Sequence, residues 1–303
     1  MTDWNDQLLR SLLFVPGSDE RKLKKVGTFG ADAIVIDLED AVADDRKVEA
    51  RAITRAAVPT YGAGQAVVVR VNSLQFGTLE EDIAAVVAEG LDAIMVPKIE
   101  DTESLRVADA ALAKAEAAAG LDAGAVRVLA LIETPLGLTR CEEILAAAPE
   151  RVHTAVFGAG DFTTELGVDL TADATEILYA RSRLVVAARA AGLAAPVDGP
   201  WLRLQDMEGL EADCVRSRGL GFQGRVTVYP PQVDPVQRGY SALSDEDAAR
   251  NRRIVEAFEE AEAQGVASLR VDGLFVDYPI YRLARDRIRR YDAWLATTTE
   301  ATA

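Results

Sequence analysis

The sequence predicts a (β/α)8 TIM barrel with a C-terminal helical extension, and three observations carry that expectation. Eight times a short, near-continuous apolar run gives way to a polar or turn residue; amphipathic segments lie between the runs; and no glycine-rich phosphate loop follows an early run. Near-continuous apolar runs suit parallel strands buried on both faces, and strand–helix alternation sustained this long favours a barrel. A doubly wound open sheet is the alternative, but it would normally carry GxGxxG after an early strand, which Pro16-Gly17-Ser18 does not match.

The predicted strands cover residues 11–15, 33–38, 66–71, 93–96, 126–132, 154–157, 195–197 and 222–228. Helical periodicity covers residues 19–29, 45–58, 79–89, 102–119, 138–148, 174–191 and 204–218. The strands end in Pro16-Gly17, Asp37-Leu38-Glu39-Asp40, Arg70-Val71-Asn72, Pro97-Lys98, Glu133-Thr134, Gly160-Asp161, Asp198 and Thr227. In a barrel all eight carboxyl ends converge on the face that carries the active site. Beyond Tyr229-Pro230-Pro231, a charged helix is expected from Ser244, a suitable N-cap, to about Gln264, with Gly265 as its stop. Residues 271–279 then lead to a helix from about Ile280 to Trp294 and a frayed tail over residues 296–303. The expected division is a barrel over residues 1–240 and an extension over residues 241–303 that covers a barrel face or reaches a neighbouring subunit.

With 303 residues, 49% of them hydrophobic, the chain can bury a large core. A formal net charge of −16 disfavours non-specific binding to nucleic acid or anionic lipid, so an anionic ligand needs a local basic pocket. Two cysteines without CxxC spacing, no apolar stretch near the roughly 20 residues that span a bilayer, and Asp3 and Asp6 ahead of any apolar run point to a reduced cytoplasmic protein. The single histidine, His153, excludes multi-histidine zinc sites and most histidine-based acid/base schemes. It is expected in a loop at the amino end of a strand, away from the active face. Any metal should then be a hard cation held by carboxylates, Mg2+ or Mn2+.

Glu133 and Asp161 end successive strands, so their carboxylates would be neighbours able to share such a cation; the plainer reading makes them caps of helices starting near Pro135 and Phe162. Arg70 closes an apolar strand and must find an anion there. Asp37, Glu39 or Asp40 could serve, or a substrate carboxylate or developing enolate oxygen could, with the carboxylates aiming the guanidinium. Arg21-Lys22-Leu23-Lys24-Lys25 opens the first helix, where cations oppose the macrodipole. These side chains are either a solvated face or, with Arg46 and Lys47, a basic rim for phosphates.

Taken together, Leu12-Leu13-Phe14-Val15-Pro16-Gly17, Ile36-Asp37-Leu38-Glu39-Asp40-Ala41-Val42, Val69-Arg70-Val71-Asn72, Ile94-Met95-Val96-Pro97-Lys98, Leu131-Ile132-Glu133-Thr134 and Gly158-Ala159-Gly160-Asp161 resemble the citrate lyase beta subunit-like (CitE-like) family of the HpcH/HpaI aldolase superfamily. The resemblance spans nearly the whole chain. It implies a homo-oligomer, trimer or hexamer, with shared active sites and an extension that reaches a neighbouring subunit. It further implies Mg2+-dependent carbon–carbon cleavage beside a CoA thioester, of a malyl-, citramalyl- or citryl-CoA-like substrate, to acetyl-CoA and a 2-oxoacid. Glu133 and Asp161 would be the metal ligands, with Mn2+ as a possible substitute. Arg70 would bind substrate and stabilise the thioester enolate, supported by Asp37 and Glu39, while Glu133, Lys98, Arg21 and Lys25 would contact substrate. Asp277, in Gly273-Leu274-Phe275-Val276-Asp277-Tyr278-Pro279, matches the acid/base residue that family lyases insert from an adjacent subunit; the residues alone read as a helix cap before Pro279.

One departure stands out. Family members often carry His-Pro after the eighth strand, where this chain has Tyr229-Pro230, and a tyrosine cannot supply an imidazole's acid/base range near neutral pH. Three other functions compete: a malate synthase or malyl-CoA thioesterase using the same site, a class II aldolase, and a non-catalytic subunit that binds acyl groups on a carrier protein. The lone His153 argues against the aldolase, and the set Arg70, Glu133, Asp161 and Asp277 argues against a purely structural role.

Overall fold

In the computed structural model, which describes residue 4 and residues 7–61 and 64–300, eight parallel strands close into a barrel in sequence order. They are β1 Ser11–Pro16, β2 Ala33–Asp37, β3 Ala66–Arg70, β4 Ala93–Val96, β5 Arg127–Ile132, β6 Val152–Phe157, β7 Val197–Asp198 and β8 Gly224–Thr227. The helices around them are α1 Glu20–Val26, α2 Lys47–Ala57, α3 Leu79–Val86, α4 Thr102–Ala119, α5 Pro135–Thr139, α6 Cys141–Ala146, α7 Ala159–Leu166, α8 Leu178–Ala190 and α9 Met207–Leu220. Then come α10 Val233–Ser241, α11 Asp245–Ala263, a hairpin of β9 Leu269–Val271 and β10 Leu274–Val276, and α12 Tyr278–Glu300.

The β-branched and aliphatic strands bury both faces. Leu12, Val35, Val68, Met95, Leu131, Val156, Val197 and Val226 fill the interior, with Phe14 against them. Side chains alternate across a strand, so the residues two further on, Asp37, Arg70 and Glu133, lie on the inward face at the carboxyl rim. The chain divides into two compact units, residues 1–236 and 237–303. The second has its own apolar cluster, built from Ile254, Phe258, Val276, Tyr281 and Ala284. Among the described residues no helix is long and apolar enough to cross a membrane.

Several boundaries differ from those predicted. The helix expected over residues 138–148 is two short helices broken at Arg140, with Thr134 capping the first through its bond from the Gly137 N–H. Asp161 sits inside the first turn of α7 rather than capping it. Strand β7 holds only two residues, and α10 and the hairpin were not anticipated. Ser244 does cap α11, accepting from the Asp247 N–H. Helix α12 continues past Trp294 to Glu300, leaving residues 301–303 and most of residues 1–9 outside the described residues.

Two predicted strand ends never reach the active face. Asp198 points outward into a buried cluster with Arg181, Arg225 and Ser217, joined by Asp213 of α9. Thr227 donates its hydroxyl to the Leu12 carbonyl. A buried arginine that meets carboxylates on two sides has its charge neutralised within the helix–barrel layer.

His153 lies within β6 rather than in a preceding loop, because β5–β6 pairing already begins at Val152. It is at the strand's amino end, as expected, with its ring 4.9 Å from that of Trp4. Burial, assisted by the charge of Arg127, lowers its pKa from 6.5 to about 4. The unfolded chain therefore takes up this proton at a higher pH than the folded one. The stabilisation is complete above about pH 6.5 and is lost as pH falls toward about 4, by up to about 3 kcal/mol. Denaturant titrations at pH 7 and about pH 4.5 should show a smaller pH-dependent loss for His153→Phe than for the wild type; identical losses would mean the imidazole does not stay neutral.

Candidate active site at the carboxyl end of the barrel

Parallel pairing of β2 with β3 places Asp37 opposite Arg70. The guanidinium is held by two parallel bonds, Nε to Asp37 Oδ1 at 2.7 Å and Nη2 to Asp37 Oδ2 at 2.6 Å. Its third nitrogen, Nη1, lies 3.0 Å from Glu39 Oε2 and 3.4 Å from Asp40 Oδ2. Its carbon stands 5.1 Å from the centre of the Phe14 ring. Burial alone would lower the Arg70 pKa, but the bonds and charges of Asp37 and Glu39 outweigh it and raise it. The group is a fixed cation aimed by its carboxylates.

Glu133, at the end of β5, is 3% exposed. Gly158, at the end of β6, permits this, because a Cβ there would come within 2.2 Å of Glu133 Cβ. Burial first, then the negative charges of Glu39 and Asp161, push the Glu133 pKa up to about 8 despite Arg70 and the Lys98 N–H. Such a carboxylate is short of positive charge. Asp161 is half exposed on the first turn of α7, and both carboxylates line one cavity of about 160 Å³ with Arg70, Asp40 and Gly158. Among the described residues no group of three or more acidic, histidine or cysteine side chains could hold a metal. The donor set is thus two hard oxygen ligands with remaining positions for water or substrate, which fits a hard divalent cation.

Lys98 joins these parts. Its backbone N–H donates to Glu133 Oε1 at 2.9 Å, and its ammonium donates to Glu39 Oε1 at 2.6 Å. Burial would lower its pKa, but Glu39 and Asp40 raise it. The buried Glu39 is itself pushed upward, by burial against the pull of Arg70 and Lys98.

A second, larger cavity of about 800 Å³ shares Phe14, Asp40, Arg70 and Val228 with the first. Arg21, Lys22 and Lys25 line its rim, and Phe29 and Tyr229 line its wall. Two other members of the expected basic rim are elsewhere. Lys47 is buried, its ammonium donating to the Leu38, Glu39 and Val42 carbonyls, and Arg46 pairs with Glu49. Asp277 belongs to the second unit, where its Oδ1 accepts from the Ile280 N–H at the start of α12. Phe14 and Gly158 are the site residues that sequence reasoning missed. Phe14 reads as one more apolar residue until the period of two places it beside Arg70.

A closed parallel barrel whose carboxyl rim gathers two carboxylates, an aimed arginine and a lysine defines a TIM-barrel enzyme with its site on the loop face. The model of the HpcH/HpaI aldolase/citrate lyase family matches residues 10–230, and the chain belongs to that family. It is 35% identical over 278 residues to the citrate lyase subunit beta of Leuconostoc mesenteroides subsp. cremoris, covering 91% of each chain. It is also 35% identical over 285 residues to a (3S)-malyl-CoA thioesterase of Cereibacter sphaeroides, covering 94% of this chain and 95% of the relative. A crystal structure of CitE from Mycobacterium tuberculosis in complex with magnesium, acetoacetate and coenzyme A superposes with a TM-score of 0.74 at 26% identity, covering 95% and 99% of the two chains. The chain is therefore a carbon–carbon lyase of a CoA-related family.

Proposed function

We propose that the protein is a Mg2+-dependent acyl-CoA lyase that cleaves a malyl-, citramalyl- or citryl-CoA-like 3-hydroxyacyl thioester to acetyl-CoA and a 2-oxoacid. The observation that carries this reading is the run of adjoining cavities. They pass from the cationic rim at Arg21 and Lys25, by Arg70, to the carboxylate pair Glu133 and Asp161. A phosphate-bearing thioester has its counter-charges at one end and the reacting carbon at the other.

Glu133 and Asp161 would hold the Mg2+, which would supply Lewis-acid stabilisation of the charge that develops on the substrate's oxygens. Arg70, fixed by Asp37 and Glu39, donates to the thioester oxygen, where negative charge develops as the carbon–carbon bond breaks. Lys98 holds Glu39 in its place against the guanidinium. Asp277, offered by a neighbouring subunit of a homo-oligomer, takes the hydroxyl proton as the carbonyl of the 2-oxoacid forms and the carbon–carbon bond breaks, and returns it to the enolate carbon, so that a methyl group forms on acetyl-CoA. Tyr229, on the wall of the larger cavity that adjoins Arg70, stands where the thioester would pass toward the carboxylate pair and bears on which substrate is accepted.

The likeness to malyl-CoA thioesterases supports a second reading, in which the same site also hydrolyses the thioester. Incubation with acetyl-CoA, Mg2+ and glyoxylate or pyruvate separates the two. The lyase condenses them with no free thiol, whereas thiol released in step with condensation identifies hydrolysis.

A further inference from the structure

Lys98 adopts φ of 50°, one of three positive values for non-glycine residues among those described. A residue with a Cβ enters this left-handed region only where its surroundings fix it. Here both of its polar groups are fixed, the N–H on Glu133 at 2.9 Å and the ammonium on Glu39 at 2.6 Å. The same ammonium stands 3.5 Å from Asp40 Oδ1 and 3.7 Å from Asp161 Oδ2. One residue thus touches both proposed cation ligands, Glu133 through its backbone and Asp161 through its charge. Its side chain is 34% exposed, so the ammonium can move toward water without crossing the core.

We infer that Lys98 is a tethered counter-ion of the cation site: its ammonium neutralises Glu39, Asp40 and Asp161 when no divalent cation is present and withdraws from Asp161 when one binds. The lysine therefore sets the cation affinity of the site. This inference rests on the cation reading given under Proposed function. A unit charge 4–6 Å away changes a carboxylate's affinity for a proton by about one to three powers of ten, and the exposure of Asp161 places the effect on a metal near the low end.

The test is a Mn2+ titration of the full-length, substrate-free protein followed by electron paramagnetic resonance, Mn2+ suiting the same oxygen ligands as Mg2+. Lys98→Asn removes the charge with a residue tolerated in left-handed backbone, Lys98→Met keeps the aliphatic stem, and Lys98→Arg keeps the charge. The expected result is binding about tenfold tighter in Lys98→Asn and Lys98→Met, affinity close to wild type in Lys98→Arg, and loss of binding in Asp161→Asn. Thermal unfolding identifies which variants are folded, and either neutral variant suffices. Unchanged or weaker binding in the folded neutral variants, with wild type binding and Asp161→Asn not, overturns the inference alone. No binding by the wild type or the Lys98 variants overturns the cation reading and the inference with it.

Discussion

Asp161→Asn is expected to reduce divalent-cation-dependent cleavage by about a thousandfold or more, in line with the loss of one preorganised charge at a transition state, while leaving the fold intact. Asp161 is half exposed and pairs with the Lys98 ammonium 3.7 Å away, so its amide should change stability by no more than about 0.5 kcal/mol. Cation affinity should fall by at least about a hundredfold, since even residues behind the ligands cost ten- to a hundredfold. Activity and Mn2+ affinity would be measured on the same preparation as the unfolding midpoint. Turnover near wild type would remove Asp161 from the site, and an unfolded variant would mean that the residue is structural.

Asp277→Ala is expected to lower turnover by about two to four powers of ten, the usual worth of a general acid. In the structure Asp277 accepts the Ile280 N–H at the start of α12, and removal of a cap costs about 1 kcal/mol. Asp277→Asn distinguishes the two roles, because asparagine caps a helix as well as aspartate does but cannot carry the proton. Full activity in the asparagine variant would reduce the residue to a cap. Mixing inactive Asp277→Ala with inactive Arg70→Ala should restore part of the activity, because some sites would then combine an intact barrel with an intact acid from another subunit. Absence of recovery in confirmed mixed oligomers would count against an acid supplied in trans.

The barrel was legible because strand and helix periods alternate so regularly, and its polar rim was legible because Asp37, Arg70 and Glu133 interrupt apolar runs where a buried strand tolerates no unpaired charge. What the sequence left open was partner choice. Asp37, Glu39 and Asp40 all qualified for Arg70, and only the β2–β3 register shows Asp37 taking both parallel bonds while the other two crowd the third nitrogen. Lys47 looked like a rim cation because nothing in a helical period says that its ammonium turns back under the loop it follows. Asp272-Gly273 was a hairpin signal in plain sight, with φ of 49° and 83°, but the strands it joins are three residues each and carry too little alternation to be recognised. The helix expected from about Phe162 begins at Ala159 instead, which moves Asp161 from a cap position to a carboxylate in the first turn that faces the cavity and the Lys98 ammonium.

The proposed activity is cleavage of a carbon–carbon bond at this carboxyl rim with the help of a divalent cation. It is tested most directly by presenting the protein with malyl-CoA and citramalyl-CoA, with Mg2+ or with excess chelator, and quantifying acetyl-CoA, 2-oxoacid and free CoA. Acetyl-CoA and 2-oxoacid should appear in equal amounts with Mg2+, and neither with chelator. Cleavage that survives the chelator, or free CoA appearing without any 2-oxoacid, would contradict it.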